Sequence, residues 1–261
     1  MEYVNAVILG IIQGIAEFLP ISSSGHLVIA DALLREFGNT SAPKESATME
    51  IALHFGTLLS ILLVYRRDLV KLLSDRRLML MIVLATVPVG LVGIFLKDYV
   101  NAAFGNPLLA GCALIVTAGF LLAGRSLQKP APASDSISAR TAVTVGVFQA
   151  VAVIPGISRS GSTIAAGMGC GLSRENAARF SFFIAIPAIG GAAVMQLKDL
   201  MTGDAVLSGD PGALALGTVT AFVVGVVSLR WLIRLVVADR LHWFAAYCLV
   251  AGLLTIVWQL T

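Results

Sequence analysis

A polar interruption in the first apolar segment, residues 4–30, decides the fold, and it reads Gln13-Gly14-Ile15-Ala16-Glu17-Phe18-Leu19-Pro20-Ile21-Ser22-Ser23-Ser24-Gly25-His26. A second apolar segment, residues 142–170, is interrupted by Pro155-Gly156-Ile157-Ser158-Arg159-Ser160-Gly161-Ser162-Thr163. A simple spanning helix would not carry such clusters. Irregular backbone survives at membrane depth only where protein or water satisfies its amides, so these breaks usually line a site. We therefore predict two re-entrant hairpins, with the functional residues at their breaks.

The whole chain has the composition of a membrane protein. Of its 261 residues, 57% are hydrophobic and 13% are charged, which lies far outside the usage of soluble globular proteins. Apolar stretches long enough to cross a bilayer run over residues 51–65, 78–96, 108–123, 180–197, 213–233 and 243–258. The sequence therefore predicts an all-α polytopic membrane protein with six transmembrane helices plus two re-entrant helical hairpins.

The two broken segments are copies of each other. Residues 6–27 align without a gap on residues 142–163, and nine of these twenty-two positions are identical. Each copy is followed by three spans, and this odd number of crossings makes the second copy enter the membrane from the opposite face. We predict an inverted-topology repeat within one membrane domain. Its halves are residues 1–127 and 140–261, joined by a linker rich in Pro, Ala and Ser at residues 128–139.

Lysine and arginine are distributed unevenly over the predicted loops. Thirteen lie in the loops 66–77, 124–141, 171–179 and 230–241, whereas four lie on the opposite side. The positive-inside rule then places the basic loops in the cytoplasm and both termini outside. No removed signal peptide is expected, because the first apolar segment has no basic residue before it and no convincing cleavage site. Membrane lipids are the expected surroundings, and the net charge of +3 does not predict a nucleic-acid partner.

The breaks carry residue types that bind anions. Gln13 and Glu17 are one helical turn apart and can point into one cavity. Arg159 stands among glycines and hydroxyls where a helix begins, and helix-start amides, hydroxyls and a guanidinium all favour phosphate oxygens. An ionised Glu or Arg at mid-bilayer costs roughly 2.5 to 3.5 kcal/mol, so random retention of both is not expected. The predicted ligand is an anion.

Each of these residues also has a purely structural interpretation. Glu17 and Arg159 could form a buried ion pair that only holds the hairpins together. The serines could cap helices or allow close helix packing. His26, directly after the serine–glycine turn, is predicted to take part in proton transfer, with an interfacial role as the alternative. His54, near the outer end of the first span, fits an interface anchor as well as a site residue.

The two breaks together resemble those of a known family. Gln-Xaa-Xaa-Xaa-Glu followed by Phe-Leu-Pro-Ile-Ser-Ser-Ser-Gly-His, with Pro-Gly-Ile-Ser-Arg-Ser-Gly-Ser-Thr in the second half, is similar to the bacitracin-resistance type of undecaprenyl-diphosphate phosphatase. The resemblance covers essentially the whole chain, although Gln13 carries an amide where other members carry Glu. It implies hydrolysis of undecaprenyl diphosphate to undecaprenyl phosphate and inorganic phosphate. That reaction recycles the lipid carrier for cell-wall synthesis at the bacterial inner membrane and confers resistance to bacitracin.

The resemblance also implies roles for individual residues. Gln13 and Glu17 would hold or orient a divalent cation, Mg²⁺ or Ca²⁺, and Arg159 would clamp the diphosphate. His26 and Ser23 would supply the nucleophile and the proton transfer, and which of the two attacks stays open. The other matching positions are expected to bind the diphosphate: Ser22, Ser24, Gly25, Ser158, Ser160, Gly161 and Thr163. Together with the charge distribution, the resemblance implies a site that faces the periplasm.

A polyprenyl-phosphate transporter or flippase is the alternative function. Inverted repeats with broken helices are typical of alternating-access carriers. A carrier needs an anion site but has less use for a general acid and base, so Glu17 and His26 favour the hydrolase. Release of phosphate from a polyprenyl diphosphate would separate the two functions.

Overall fold

The computed structural model describes residues 2–36, 47–128, 136–202 and 209–261, and within these ranges the chain is helical, with no β-strand. The helices are α1 (Glu2–Ala16), α2 (Ser23–Glu36), α3 (Ala47–Val64), α4 (Arg66–Leu72), α5 (Arg76–Phe95), α6 (Lys97–Ala103), α7 (Pro107–Ser126), α8 (Ala139–Val151), α9 (Arg159–Gly169), α10 (Arg174–Thr202), α11 (Pro211–Val237) and α12 (Leu241–Leu260). The predicted all-α class is confirmed. Most of the predicted linker, at residues 129–135, lies outside the described residues.

Five helices of the described chain are long and apolar enough to cross a membrane: α5, α7, α10, α11 and α12. Helix α3 passes the same test only together with α4, and a bend of 77° separates the two. At this bend, Tyr65 packs its ring against Phe182 and Phe183, with centroid distances of 6.1 and 5.6 Å. The prediction of a multi-pass membrane protein is confirmed with five or six spans. The finer assignment of six spans plus two re-entrant hairpins stays a prediction.

Both broken segments fold as a helix, a break and a second helix. The first break covers residues 17–22, between α1 and α2, and the second covers residues 152–158, between α8 and α9. Each break contains a residue in the left-handed region, Ser22 with φ 64° and Gly156 with φ 100°. An α-helix cannot continue through this conformation, so the chain turns at both places.

Each broken segment packs on a helix from the other half of the chain. Helix α1 lies against α11, and α8 lies against α5. The backbones approach closely at small residues. A methyl group added at Gly14 would meet the carbonyl oxygen of Ala221 at 3.0 Å, and one added at Gly146 would meet that of Ala85 at 2.5 Å. Glycine at these positions therefore permits the close helix packing that is typical of membrane proteins.

Three of the basic loops meet at one end of the bundle, around Asp239. Its carboxylate pairs with Arg125 Nη2 at 3.1 Å and with Arg174 Nη2 at 3.0 Å. Asp239 lies in the turn between α11 and α12, and the two arginines lie at the end of α7 and the start of α10. At the opposite end, Glu2 Oε1 accepts a hydrogen bond from the Asp210 amide at 3.0 Å. The bundle therefore has a basic end, around Asp239, and an opposite end, which we call the terminal end because α1 starts and α12 finishes there.

Candidate active site

The two breaks touch each other through their backbones. A methyl group placed on Gly25 would lie 2.6 Å from Cα of Gly156, closer than real side-chain contacts allow. Ser22 Oγ accepts hydrogen bonds from the Gly25 amide at 3.3 Å and from the Gly156 amide at 3.1 Å. The Ser22 hydroxyl therefore caps α2 and also ties the first break to the second.

The second break is fixed by a similar set of hydrogen bonds. Ser158 Oγ caps α9 by accepting from the Gly161 amide at 3.1 Å, and the Ser158 amide donates to Thr117 Oγ1 at 3.0 Å. The Thr117 hydroxyl in turn donates to the carbonyl oxygen of Gly156 at 2.8 Å. The N-termini of α2 and α9 are thus held beside each other, which favours the binding of an anion near both.

Gly25→Ala is expected to lower the free energy of unfolding by about 1–3 kcal/mol, because the added methyl group meets backbone that cannot move without separating the breaks. Thermal unfolding of the purified protein measures the effect, and activity should fall with it. Gly119→Ala is the matched control, since this α7 glycine has open space around it and alanine favours a helix. An unchanged unfolding midpoint in Gly25→Ala would contradict the close contact.

A buried ion pair joins the two breaks. Arg159 Nη2 donates to Glu17 Oε1 at 2.6 Å, and the two side chains are 17% and 9% exposed. Gln13 Nε2 donates to the other carboxylate oxygen, Oε2, at 3.1 Å. Both oxygens of Glu17 are therefore held by donors, one from α1 and one from the start of α9.

His54 lies beside the same carboxylate. Its Nδ1 is 2.9 Å from the carbonyl oxygen of Glu50, and because a carbonyl only accepts, Nδ1 carries the proton of this bond. The other ring nitrogen, Nε2, lies 3.8 Å from Glu17 Oε2. In the neutral ring the lone pair is therefore on Nε2, the nitrogen nearer to Glu17.

These groups line a cavity of about 340 Å³. Its polar wall consists of Gln13, Glu17, Ser22, Ser23, Ser24, Glu50, His54, Gln149, Ser158 and Arg159. Its apolar wall includes Leu53, Val89 and Ile189, from the start of α3 and the second halves of α5 and α10. The cavity therefore lies in the half of the bundle nearer the terminal end. Among the residues predicted from sequence, the structure brings together Gln13, Glu17, Ser22, Ser23, Ser24, Ser158 and Arg159.

His26 does not line this cavity. Its Nδ1 is 2.8 Å from the carbonyl oxygen of Ser22, so Nδ1 carries the proton, and its Nε2 is 2.7 Å from the Tyr247 hydroxyl. The two rings also stack, with their centroids 5.6 Å apart. Both ring nitrogens of His26 are thus engaged, one within α2 and one with α12. The predicted meeting of the His26 imidazole with Glu17 and Arg159 is not seen, and His54 occupies that place.

Four other predicted residues lie behind the cavity wall: Gly25, Ser160, Gly161 and Thr163. Gly25 contacts the second break, and a methyl group at Gly161 would contact Pro20 at 3.1 Å. Ser160 is buried beside Ser158, and Thr163 Oγ1 donates to the carbonyl oxygen of Arg159 at 2.7 Å. These positions shape and support the breaks, and their predicted contact with a diphosphate remains a prediction.

The cavity also contains Glu50 and Gln149, which were not predicted as site residues, and His54, for which the sequence left an interface anchor and a site residue both open. The sequence carried a signal for each. Glu50 and His54 are four residues apart at the start of an apolar span, the same spacing as Gln13 and Glu17. Gln149 is the counterpart of Gln13 in the internal repeat.

The chain matches the sequence model of a family described as "Bacitracin resistance protein BacA" over residues 6–254. It belongs to this family. A relative from Rhodopirellula baltica named undecaprenyl-diphosphatase is 47% identical over 260 residues, which cover 99% of each chain. Proteins with the same name from Christiangramia forsetii and Bacteroides thetaiotaomicron are 40% and 39% identical, over 98% and 100% of each chain. The suspected family is confirmed.

The family match covers both breaks and the helices that hold them. Residues 13–26 and 155–163, which carry the resemblance, lie well inside the matched region. The residues that line the cavity therefore lie within the region that matches the family.

Proposed function

We propose that the protein hydrolyses undecaprenyl diphosphate to undecaprenyl phosphate and inorganic phosphate, and that it thereby recycles the lipid carrier and confers bacitracin resistance. The observation that carries the proposal is the buried Glu17–Arg159 pair in a cavity where two helix N-termini meet. The names of relatives that align over nearly their full length support the same activity.

Arg159 and the two helix starts provide the positive potential that a diphosphate needs. Arg159 donates to Glu17 through Nη2, while its buried Nη1 has no hydrogen-bond partner among the described residues. We propose that Nη1 donates to a phosphoryl oxygen once the diphosphate is bound, which would give this buried donor a partner. Phosphoryl transfer is catalysed mainly by positioning and by stabilising charge on the phosphoryl oxygens, and this cavity supplies both.

Ser23 is the proposed nucleophile, because its hydroxyl lines the cavity and His26 faces α12 instead. Ser23 Oγ attacks the terminal phosphorus, and the bond to the bridging oxygen breaks, leaving its electron pair on undecaprenyl phosphate. The Ser23 proton passes to a base on the cavity wall, for which Glu17 and His54 are the proposed candidates. Water then cleaves the phosphoserine, which releases inorganic phosphate and restores Ser23.

A divalent cation fits the oxygen donors of this cavity. The carboxylates of Glu17 and Glu50 and the amide oxygen of Gln13 are hard ligands of the kind that Mg²⁺ and Ca²⁺ prefer. No group of three His, Cys, Asp or Glu residues forms a metal cage in the described part of the chain. Gln13, Glu17 and Glu50 would hold the proposed cation, and it would neutralise negative charge on the diphosphate.

The proposed orientation places the cavity toward the periplasm of the bacterial inner membrane. The cavity lies in the half of the bundle opposite the arginine-rich end around Asp239, and the positive-inside rule assigns that basic end to the cytoplasm. The helix packing supports the proposed inverted repeat. In the repeat α1 corresponds to α8 and α5 to α11, so the contact of α1 with α11 is equivalent to the contact of α8 with α5.

The purified protein is expected to release phosphate from undecaprenyl diphosphate in detergent with Mg²⁺ or Ca²⁺, and a chelator should stop the reaction. Phosphate release is measured directly, and re-addition of the cation should restore it. If the lipid binds and crosses liposome membranes but no phosphate is released, the transporter alternative replaces the hydrolase.

A further inference from the structure

Gln149 lines the cavity and carries a buried carboxamide that has no hydrogen-bond partner among the described residues. The side chain is 1% exposed, and neither Oε1 nor Nε2 has a hydrogen-bond partner among the described residues. Buried polar atoms are nearly always paired, because leaving them unpaired costs free energy. Such an exception inside a cavity indicates a group that a ligand completes.

The internal repeat explains why Gln149 has no partner within the protein. Its counterpart, Gln13, donates to Glu17 one helical turn later. The residue one turn after Gln149 is Val153, which offers no hydrogen-bonding side chain. The second copy therefore keeps the amide but lacks the carboxylate that would satisfy it.

The position of Gln149 is fixed by the packing of α8. Gly146, one turn earlier, lies so close to α5 that an added methyl group would meet the carbonyl oxygen of Ala85 at 2.5 Å. The helix cannot turn its buried face outward without breaking this contact. Gln149 thus stays on the wall of the cavity that Ser158 and Arg159 also line.

We infer that Gln149 is a substrate-binding residue: its Nε2 donates to an oxygen of the diphosphate, and its Oε1 accepts from a water beside the phosphoryl group. An ionised diphosphate has only acceptors, so it satisfies Nε2 and the orphaned Nη1 of Arg159 but not Oε1. Oε1 therefore needs a donor, and water is the reactant of hydrolysis that has one. This inference rests on the proposed function, since it assigns a residue to the same site.

Gln149→Met tests the inference, because methionine keeps the unbranched shape and removes both hydrogen-bonding atoms. The variant is expected to bind inorganic pyrophosphate about tenfold or more weakly and to lower kcat/KM for undecaprenyl diphosphate by a similar or larger factor. Its unfolding midpoint should stay the same or rise, because an unpaired buried amide has been removed. Gln149→Leu is a second variant in case methionine disturbs the packing, and Gln259→Met on the exposed end of α12 is the matched control.

The outcomes separate this inference from the proposed function. If both Gln149 variants bind pyrophosphate and turn over undecaprenyl diphosphate like the wild type, the inference about Gln149 is overturned. A lower unfolding midpoint in both variants would also overturn it, because the amide would then serve the fold. If the wild-type protein releases no phosphate, the proposed function fails. Pyrophosphate affinity then still decides whether Gln149 binds the anion.

Discussion

Arg159→Ala is expected to slow hydrolysis of undecaprenyl diphosphate by about a thousandfold or more, the scale on which an arginine stabilises phosphoryl-transfer transition states. The guanidinium is positioned by Glu17 at 2.6 Å, and its buried Nη1 has no hydrogen-bond partner among the described residues. Alanine removes the positive charge where the transition state is most negative. Phosphate release under saturating substrate, compared with wild type, measures the loss.

The same substitution leaves the 9% exposed Glu17 carboxylate without its partner, which costs about 3 kcal/mol of stability. Arg159→Lys separates this effect from catalysis, because lysine keeps the charge and lacks the planar, forked guanidinium. Its unfolding midpoint should stay close to that of wild type while its activity remains low. Arg66→Ala, an exposed arginine at the basic end, is the control. Near-normal turnover in Arg159→Lys would mean that charge alone is required.

Ser23→Ala is expected to reduce turnover by about a thousandfold or more, because it removes the proposed nucleophile. The unfolding midpoint should not change, since the Ser23 hydroxyl makes no hydrogen bond within the described ranges. Rapid acid quenching of the wild-type reaction, followed by peptide mapping, should find phosphate on Ser23.

Ser126→Ala is the matched control for this experiment, because that serine only donates to Ala123 at the far end of α7. Phosphate trapped on His26, together with normal turnover in Ser23→Ala, would reverse the assignment. The structure argues against that result, because His26 does not line the cavity and its Nε2 is 2.7 Å from the Tyr247 hydroxyl.

The helices were predictable from sequence because apolar runs and their interruptions are local features. The last span was predicted over residues 243–258 and is found as Leu241–Leu260. The bend after α3 was not predicted, since it depends on Tyr65 packing against Phe182 and Phe183 from a distant part of the chain. A single sequence shows that residue 65 is aromatic but not what its ring will meet.

The candidate site was predictable in part for the same reason. The repeat brought Glu17 and Arg159 together in the prediction, because two breaks in opposite orientations have one place to meet. The repeat did not show whether His26 or His54 lies beside Glu17. His26 is three residues from Ser23, but its ring contacts Tyr247 in α12, and this partner is not visible in the sequence. The sequence left His54 open as an interface anchor or a site residue. Its contact with Glu17 was not predicted, because the two residues are far apart along the chain.

Each broken segment packs on a helix from the other half of the chain, and this has a consequence for biosynthesis. Helix α1 rests on α11, and Glu17 pairs with a guanidinium 142 residues later in the chain. A ribosome delivers the N-terminal segment first, so this carboxylate enters the bilayer long before its counter-ion is translated. The nascent protein must therefore shelter an acidic group, at the lipid boundary or with an insertase, until more than half of the polypeptide has been made.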